Sequence, residues 1–503
     1  MATAKKSKTV RSLVPESDAH VKNETLRSFG KRNMTTYAVA VNLDRSVPDL
    51  FDGLKPVQRR ILWGASKEAF SKFEKTARVV GTVMGRYHPH GDSSIASAIE
   101  TMVHHSTPTM FGKGNWGTMT DGAAAMRYTN CRLSGYGQTF FDSDYINDSV
   151  TSFVPNYDDK DVEPVTLPAQ LPNVLLNGGE GIGVGITTYI PTFTAESMCE
   201  VLERLLQGEK LKSLDFAKAL KFAHKWGGQF VQTKENKTQW LQMFKGSTAA
   251  IQFESDLQVD RDHKRIVIED WPPGTNLDKF VQKIRAMPEC QRCANTKGST
   301  TYTVECKPAY NYDQFDKFVD KVRKATQQRR AFKINVTKRE AQTVDGVTTF
   351  ETKFLALSVP QLLIAWLKER LQLEQRSLAY RVKKVEEQID YCETLIHACA
   401  HIDQIVKIVR RSEDPEAALV KALKIQPHQA KWICDLQLRK ISKLDESSYR
   451  TRLKEHQALL KQLQVWQKRP RSKVLLDIQR VRETIVKDRA FQDKEDSQEL
   501  KVV

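Results

Sequence analysis

The chain has 503 residues, 40 % of them hydrophobic and 28 % charged, a balance that suits a folded protein large enough for roughly three domains. Its 78 Lys+Arg against 61 Asp+Glu give a formal charge of +17, so an acidic partner is expected, and nucleic acid is the commonest one. No apolar run approaches the ~20 residues that span a bilayer, and eight scattered cysteines do not make a disulfide framework, so the composition argues against a membrane protein and for a reducing cytosol.

Met1 to Arg11 is basic without a hydrophobic segment or cleavage site, and residues 1–29 read as a flexible basic arm rather than a secretory signal. Residues 30–152 carry short amphipathic runs punctuated by Asp52-Gly53 and Gly91-Asp92, and Arg59-Arg60-Ile61-Leu62-Trp63 reads as a helix with one basic face. The scale is that of a small helix-turn-helix module. Residues 153–355 change to alternating stretches such as Ala249–Glu254 and Arg265–Glu269, the latter stopped by Trp271-Pro-Pro-Gly274, which predicts a mixed α/β domain.

Two places invite a metal reading. Cys290, Cys293 and Cys306 have the opening spacing of a zinc site but no fourth ligand at ribbon spacing, so ordinary buried thiols are the expectation. Asp142, Asp144, Asp159 and Asp161 bring carboxylates close together, yet nothing around them suggests a catalytic metal, and none is expected on this chain.

Beyond residue 355 proline becomes rare, and Leu378, Val382, Val385, Ile389, Cys392 and Ile396 follow alternating steps of four and three. That is a heptad seam. Leu453, Leu460 and Leu463 continue the pattern after an interrupted helical stretch from His401 to Leu444. An antiparallel coiled-coil arm with a helical tip, over 356–486, is the simplest geometry, and a plain helical bundle is the alternative. Residues 487–503 are mostly charged and are expected to be a disordered tail.

The chemistry centres on Arg127 and Tyr128. A phenol has a pKa near ~10, so a nucleophilic tyrosine needs a positive neighbour to stabilise the phenolate. Arg127 supplies a permanent charge and a two-pronged grip on phosphate, and His88 and His90 offer donors or a proton relay if the fold brings them near. A lone Arg-Tyr pair is more often a surface pair than a nucleophile.

Its setting changes that weighting. Asp52-Gly-Leu-Lys-Pro-Val-Gln-Arg-Arg60, Ala77-Arg-Val-Val-Gly81, Tyr87-His-Pro-His-Gly-Asp-Ser93, Gly114-Asn-Trp-Gly117 and Ala123-Ala-Ala-Met-Arg-Tyr128 resemble, in this order, the breakage-reunion region of type IIA DNA topoisomerases, the gyrase A and topoisomerase IV A subunits. The resemblance continues through Leu171–Gly178, Gly181–Gly185 and Ile190-Pro191, and recurs at Gln429–Leu438. It implies an α+β multidomain fold: a winged-helix breakage-reunion domain, an α/β tower, and a long antiparallel coiled coil ending in a helical C-gate. Tyr128 resembles the nucleophile that joins a DNA 5′ phosphate, and Arg127 the arginine that stabilises charge on it. Arg45, Lys55, Arg59 and Arg60 resemble the basic face that meets the DNA backbone, His88 and His90 the pair beside the cleavage centre, and Ile182 the apolar wedge that bends the duplex. Ser93 is retained from the family pattern and Gln58 stands where a histidine is usual, whereas Ser97 stands in place of an acid, and that last change puts fluoroquinolone binding in doubt.

The resemblance further implies double-stranded DNA as substrate, a homodimer closed at the C-gate, and a gyrase B-like ATPase/Toprim partner in an A2B2 assembly. Mg2+ and ATP would both be held by that partner, since no nucleotide-binding motif occurs here. The absence of a wrapping domain after the arm resembles the medium subunit of large bacteriophage topoisomerases, and places the protein in a bacterial or phage-infected cytoplasm. Relaxation or decatenation is then favoured over introducing supercoils. A non-cleaving architectural DNA-binding protein and a host-topoisomerase inhibitor on the same scaffold are the alternatives.

Overall fold

The computed structural model describes residues 25–295, 300–344, 347–435 and 443–499. The elements in chain order begin with α1 (Leu26–Val41), a π-helical turn (Asn42–Ser46), α2 (Pro56–Glu68), β1 (Glu74–Lys75), α3 (Thr76–Arg86), α4 (Asp92–Val103), β2 (Met110–Lys113), β3 (Asn130–Leu133) and α5 (Gly135–Gln138). Next come β4 (Phe153–Pro155), β5 (Val162–Pro164), α6 (Asn173–Asn177), β6 (Gly179–Ile182), β7 (Thr187–Ile190), α7 (Ala195–Leu206), α8 (Ser213–Ala219), β8 (Gln229–Phe230), α9 (Lys234–Met243) and β9 (Thr248–Glu254). They continue with β10 (Leu257–Asp260), β11 (Arg265–Ile268), α10 (Leu277–Arg285), β12 (Cys290–Asn295), β13 (Tyr302–Cys306), α11 (Tyr312–Thr326), β14 (Gln328–Lys333), β15 (Asn335–Val344) and β16 (Val347–Ala356). The helical remainder is α12 (Val359–Ala400), α13 (Ile402–Arg411), α14 (Pro415–Leu423), α15 (Pro427–Cys434), α16 (Lys443–Lys468) and α17 (Pro470–Glu499).

Helix α2 starts where Pro56 fixes the backbone and Gln58 caps the Lys55 amide at 3.0 Å. Its apolar side, Ile61, Leu62 and Ala65, packs with Val79, Val80 and Val83 of α3 and Ile95, Ile99 and Met102 of α4. A small antiparallel sheet, ordered β1-β3-β2, closes this helical layer and pairs Glu74 with Cys131 and Met110 with Leu133.

The expected boundary near residue 152 does not divide the core. Leu171, Val174 and Leu175, the strands β7, β9 and β14, and the start of α12 all join the cluster built on α2 to α4. The five-stranded sheet, ordered β6-β7-β14-β9-β8, is therefore continuous with the N-terminal module. A separate core belongs to the four-stranded sheet β10-β11-β13-β12, where Phe280 and Ile284 of α10 and Phe315 and Phe318 of α11 pack with Ile266, Ile268, Trp271 and Val304. Cys290, Cys293 and Cys306 are buried in that second core, and burial raises all three thiols above their ordinary pKa.

The arm is an antiparallel pair. Arg370 near the base of α12 meets Asp477, Leu378 and Val385 share a cluster with Leu463, and Cys392 lies near Arg452, so α16 and α17 run back along α12. At ~1.5 Å per residue, the 42 residues of α12 extend about 60 Å. The tip packs Ala398, Ile405, Leu419, Ala430 and Ile433 together, while residues 436–442, part of the quoted Gln429–Leu438 motif, lie outside the described residues.

Both ends of the chain differ from expectation. Leu26 to Phe29, assigned to a flexible arm, already belong to α1, and residues 1–24 lie outside the described residues. Residues 487–499, assigned to a disordered tail, continue α17, because Asp488 accepts hydrogen bonds from the Gly135 and Tyr136 amides and Phe491 stacks on Phe111. Charge composition missed these anchors, which lie more than 300 residues away along the chain. Among the described residues no helix is long and apolar enough to cross a membrane.

Candidate functional site

Tyr128 ends a turn that leads into β3, and the chain on either side of it is fixed. The Tyr128 amide donates to Ala125 O (2.8 Å), the Ala124 amide to Asn115 O, and the Ala77 amide to Met126 O. The next residue, Thr129, is buried, with its hydroxyl 2.9 Å from that of Thr76. A rigid anchor thus precedes an open side chain: Tyr128 is 64 % exposed, and the Arg127 guanidinium stands 4.8 Å from its ring centroid. The phenol faces outward beside a cation, a geometry suited to meeting a phosphodiester.

His88 follows the other end of α3. Its amide reaches back to Val83 O, its ring sits 4.7 Å from that of His90, and its Nδ1 lies 3.4 Å from Arg60 Nη1. Burial first, then the charges of Arg60, His90 and Arg45, hold its pKa down to about 4, so the imidazole is neutral at physiological pH. The Tyr128 turn is tied to the start of α3 and His88 follows its end, so the 11 residues of the helix, about 16 Å, lie between their backbones.

The four predicted backbone-binding cations divide into distinct environments. Arg45 is exposed on the π-helical turn. Lys55 donates from Nζ to Glu180 O, and burial lowers its pKa, with Arg45 adding to the shift. Arg60 donates from Nε and Nη2 to the two oxygens of Glu163, at 2.7 and 2.8 Å. Arg59 departs from the expected basic face: it is 4 % exposed and forms a two-pronged pair with Asp52 (2.5 and 2.9 Å). Asp52 also accepts the Leu167 amide, so Arg59 holds a turn in the interior rather than facing a ligand.

Ser93 lies exposed in the first turn of α4, and Ile182 ends β6 with 81 % of its surface open. Between α2, α4 and the β6–β7 hairpin opens a cleft of about 450 Å3, lined by Lys55, Gln58, Ser97, His105, Glu180 and Lys225. The acidic stretch is engaged elsewhere: Asp142 pairs with Arg480, Asp144 with Arg381, and Asp161 with Lys67, while Asp161 also accepts the Tyr87 hydroxyl. Among the described residues no three His, Cys, Asp or Glu side chains cluster as a metal site.

Sequence reasoning missed Glu163 and Asp161 as partners of the basic cluster. The contacts that give these acids their roles are 103 residues away for Arg60 and 74 for Tyr87, beyond any local pattern.

An exposed, braced tyrosine with an adjacent arginine, on a fold that also carries a basic cluster and a long antiparallel helical arm, suits a protein that meets phosphodiesters. The sequence profile of the A subunit of DNA gyrase/topoisomerase IV matches residues 45–479, and the chain belongs to that family. It is 30 % identical over 456 residues to the A subunit of DNA topoisomerase 4 from Neisseria gonorrhoeae, covering 85 % of this chain and 59 % of that protein. The same-named proteins of Caulobacter vibrioides and Escherichia coli K12 are 27 % and 28 % identical, over 89 % and 87 % of this chain and 59 % and 58 % of theirs. The chain thus spans less than two thirds of the length of these relatives.

Proposed function

We propose that this chain is the DNA-cleavage and religation subunit of an ATP-dependent type IIA topoisomerase. The observation that carries the reading is Tyr128, open to solvent beside Arg127 on a loop whose backbone is tied down on both sides. In the proposed reaction the Tyr128 Oη–P bond forms as the P–O3′ bond of one strand breaks, and the phenolic proton ends on the released 3′ hydroxyl. The 5′ phosphotyrosyl link conserves the bond energy, so religation reverses the step without a cofactor. Arg127 stabilises the charge that grows on the phosphate, and neutral His88 can accept or donate a proton there.

The helical module with its small sheet supports the winged-helix reading of residues 30–152, and the two sheets that follow support the tower. The antiparallel arm fits an exit gate closed by a second copy. Because α3 keeps Tyr128 away from the His88–Arg60 cluster of its own chain, a dimer supplies the simplest complete site, with tyrosine from one protomer and basic cluster from the other. Asp142, Asp144, Asp161 and Glu163 are paired with arginines and lysines, and the resemblance puts the magnesium ion on a partner's Toprim module. When bound, that ion would supply Lewis-acid stabilisation at the phosphate. The partner would also bind ATP in an A2B2 assembly acting in the cytoplasm of a bacterium or phage-infected host, to relax or decatenate DNA.

The test is cleavage of supercoiled plasmid with magnesium and the ATPase/Toprim partner, stopped with detergent and protease. Wild type is expected to give linear DNA with protein on its 5′ ends, and Tyr128→Phe none while still binding DNA. If both variants bind and neither cleaves, the chain is an architectural DNA-binding protein instead.

A further inference from the structure

The hairpin that displays Ile182 is held by a side chain far from it in sequence. Asn42, buried in the π-helical turn, accepts the Val184 amide at its Oδ1 (2.9 Å) and donates from Nδ2 to Val184 O (3.1 Å). Both hydrogen-bonding groups of one loop residue are thereby satisfied by one amide, a two-point clamp that fixes the rotation of the loop as well as its distance. From the same turn, Ser46 Oγ donates to Ile182 O (3.2 Å). The backbones are in direct contact: a Cβ at Gly181 would lie 2.0 Å from Ser46 O, and one at Gly183 only 1.9 Å from Asn42 Oδ1. The spacing of glycines in Gly181-Ile-Gly183 thus leaves Ile182 as the outward side chain and gives the clamp room on either side of it.

The π-helical geometry is what makes this possible. An extra residue in the turn rotates neighbouring side chains, and such turns recur at functional positions. Here the turn sends Asn42 inward to the hairpin and Arg45 outward. From these contacts we infer that Asn42 is a positioning residue for DNA bending, holding Ile182 at the height and angle at which it enters a base step. The inference rests on the proposed function and on the reading of Ile182 as an apolar wedge that the family resemblance implies, since a clamp matters to DNA only if the residue it aims touches DNA. An apolar wedge unstacks bases at a cost recovered only when it sits in register with the duplex, so a loosened hairpin loses bending before it loses backbone binding.

The test is the bent fraction of an uncut duplex labelled for energy transfer at both ends, measured with the full chain, magnesium and the ATPase/Toprim partner. Duplex affinity and thermal melting are recorded in parallel. Ile182→Ala and Asn42→Ala are each expected to lower the bent-to-straight ratio by about tenfold with affinity changed much less, as fits the loss of two buried hydrogen bonds for Asn42. The double variant is expected to match the singles, because both remove one element. Asn42→Asp, which keeps the shape but sets a carboxylate oxygen against Val184 O where Nδ2 donated, is expected to lose at least as much bending, and it stands in if Asn42→Ala melts early. Gly183→Ala, attacking the clamp from the hairpin side, is expected to reproduce the loss. If Ile182→Ala lowers bending and the Asn42 variants do not, the positioning role is refuted while the wedge reading stands. If the Asn42 and Ile182 effects add, Asn42 acts by another route and the inference also falls. If Ile182→Ala leaves bending unchanged, the wedge reading fails and takes this inference with it.

Discussion

Arg59 and Arg60 are adjacent in sequence and opposite in consequence. The Arg59 guanidinium fills a buried site against Asp52, whereas Arg60 lies partly open between Glu163 and His88. Breaking a buried pair by removing one partner strands the other charge, so Arg59→Ala is expected to cost about 3–5 kcal/mol of stability, read from urea unfolding. Arg60→Ala is expected to shift the same curve less than Arg59→Ala, because its pair with Glu163 stays partly open to solvent, while sharply lowering plasmid cleavage. A matching stability loss in both variants would show that Arg60 is structural as well. Motif order pointed to both arginines, but only burial separates them: a helix turns about 100° per residue, which sends neighbours to different faces.

At the scale of elements, the main departure from expectation is the C-terminal half of α17. A charged composition normally lacks the apolar area to offset ordering entropy, and on that ground residues 487–499 read as disordered in the sequence. One carboxylate and one ring reverse the outcome. Asp488 accepts the two orphan amides at the start of α5, and Phe491 joins Phe111 with Arg132 at cation–π distance from both rings. Asp488→Ala is expected to cost about 2 kcal/mol and to speed hydrogen exchange at the Gly135 and Tyr136 amides first. Unchanged protection there would mean that the helix is held by its other contacts. The heptad seam was legible, by contrast, because period 3.5 is written in the residues themselves: Leu378, Val385 and Leu463 are buried together as expected. At the base of the arm, fully buried Arg370 bonds Glu374, Asp477, Gln170 and Tyr145, joining α12 to α17 and to the core. No periodicity announces such a junction, since its members lie up to 332 residues apart.

For the whole molecule, the decisive geometry is the placement of the nucleophile and the basic cluster at opposite ends of α3. Under the proposed function it favours a dimer with shared sites, and a mixed dimer tests that arrangement. Neither a Tyr128→Phe homodimer nor an Arg60→Ala homodimer is expected to cut. In a mixed dimer, both lesions fall in one composite site and the other site is intact, so single-strand nicking with one 5′ protein link is expected on agarose and sequencing gels. If the mixed dimer cuts neither strand, each protomer needs its own cluster and the shared-site arrangement is wrong.

By itself the sequence determined the family, the placing of Arg127 beside Tyr128, and the coiled-coil seam. Each of these rests on residue identity at short spacing, where a motif or a period survives in one dimension. Only the tertiary structure decided that Arg59 faces inward, that Glu163 holds Arg60, that one core runs through residues 50 to 485, that α17 reaches Glu499, and that Asn42 clamps the hairpin of Ile182. The physical reason is shared: a buried charge, amide or apolar side chain must find its partner wherever the fold provides one, and that partner's position along the chain is arbitrary.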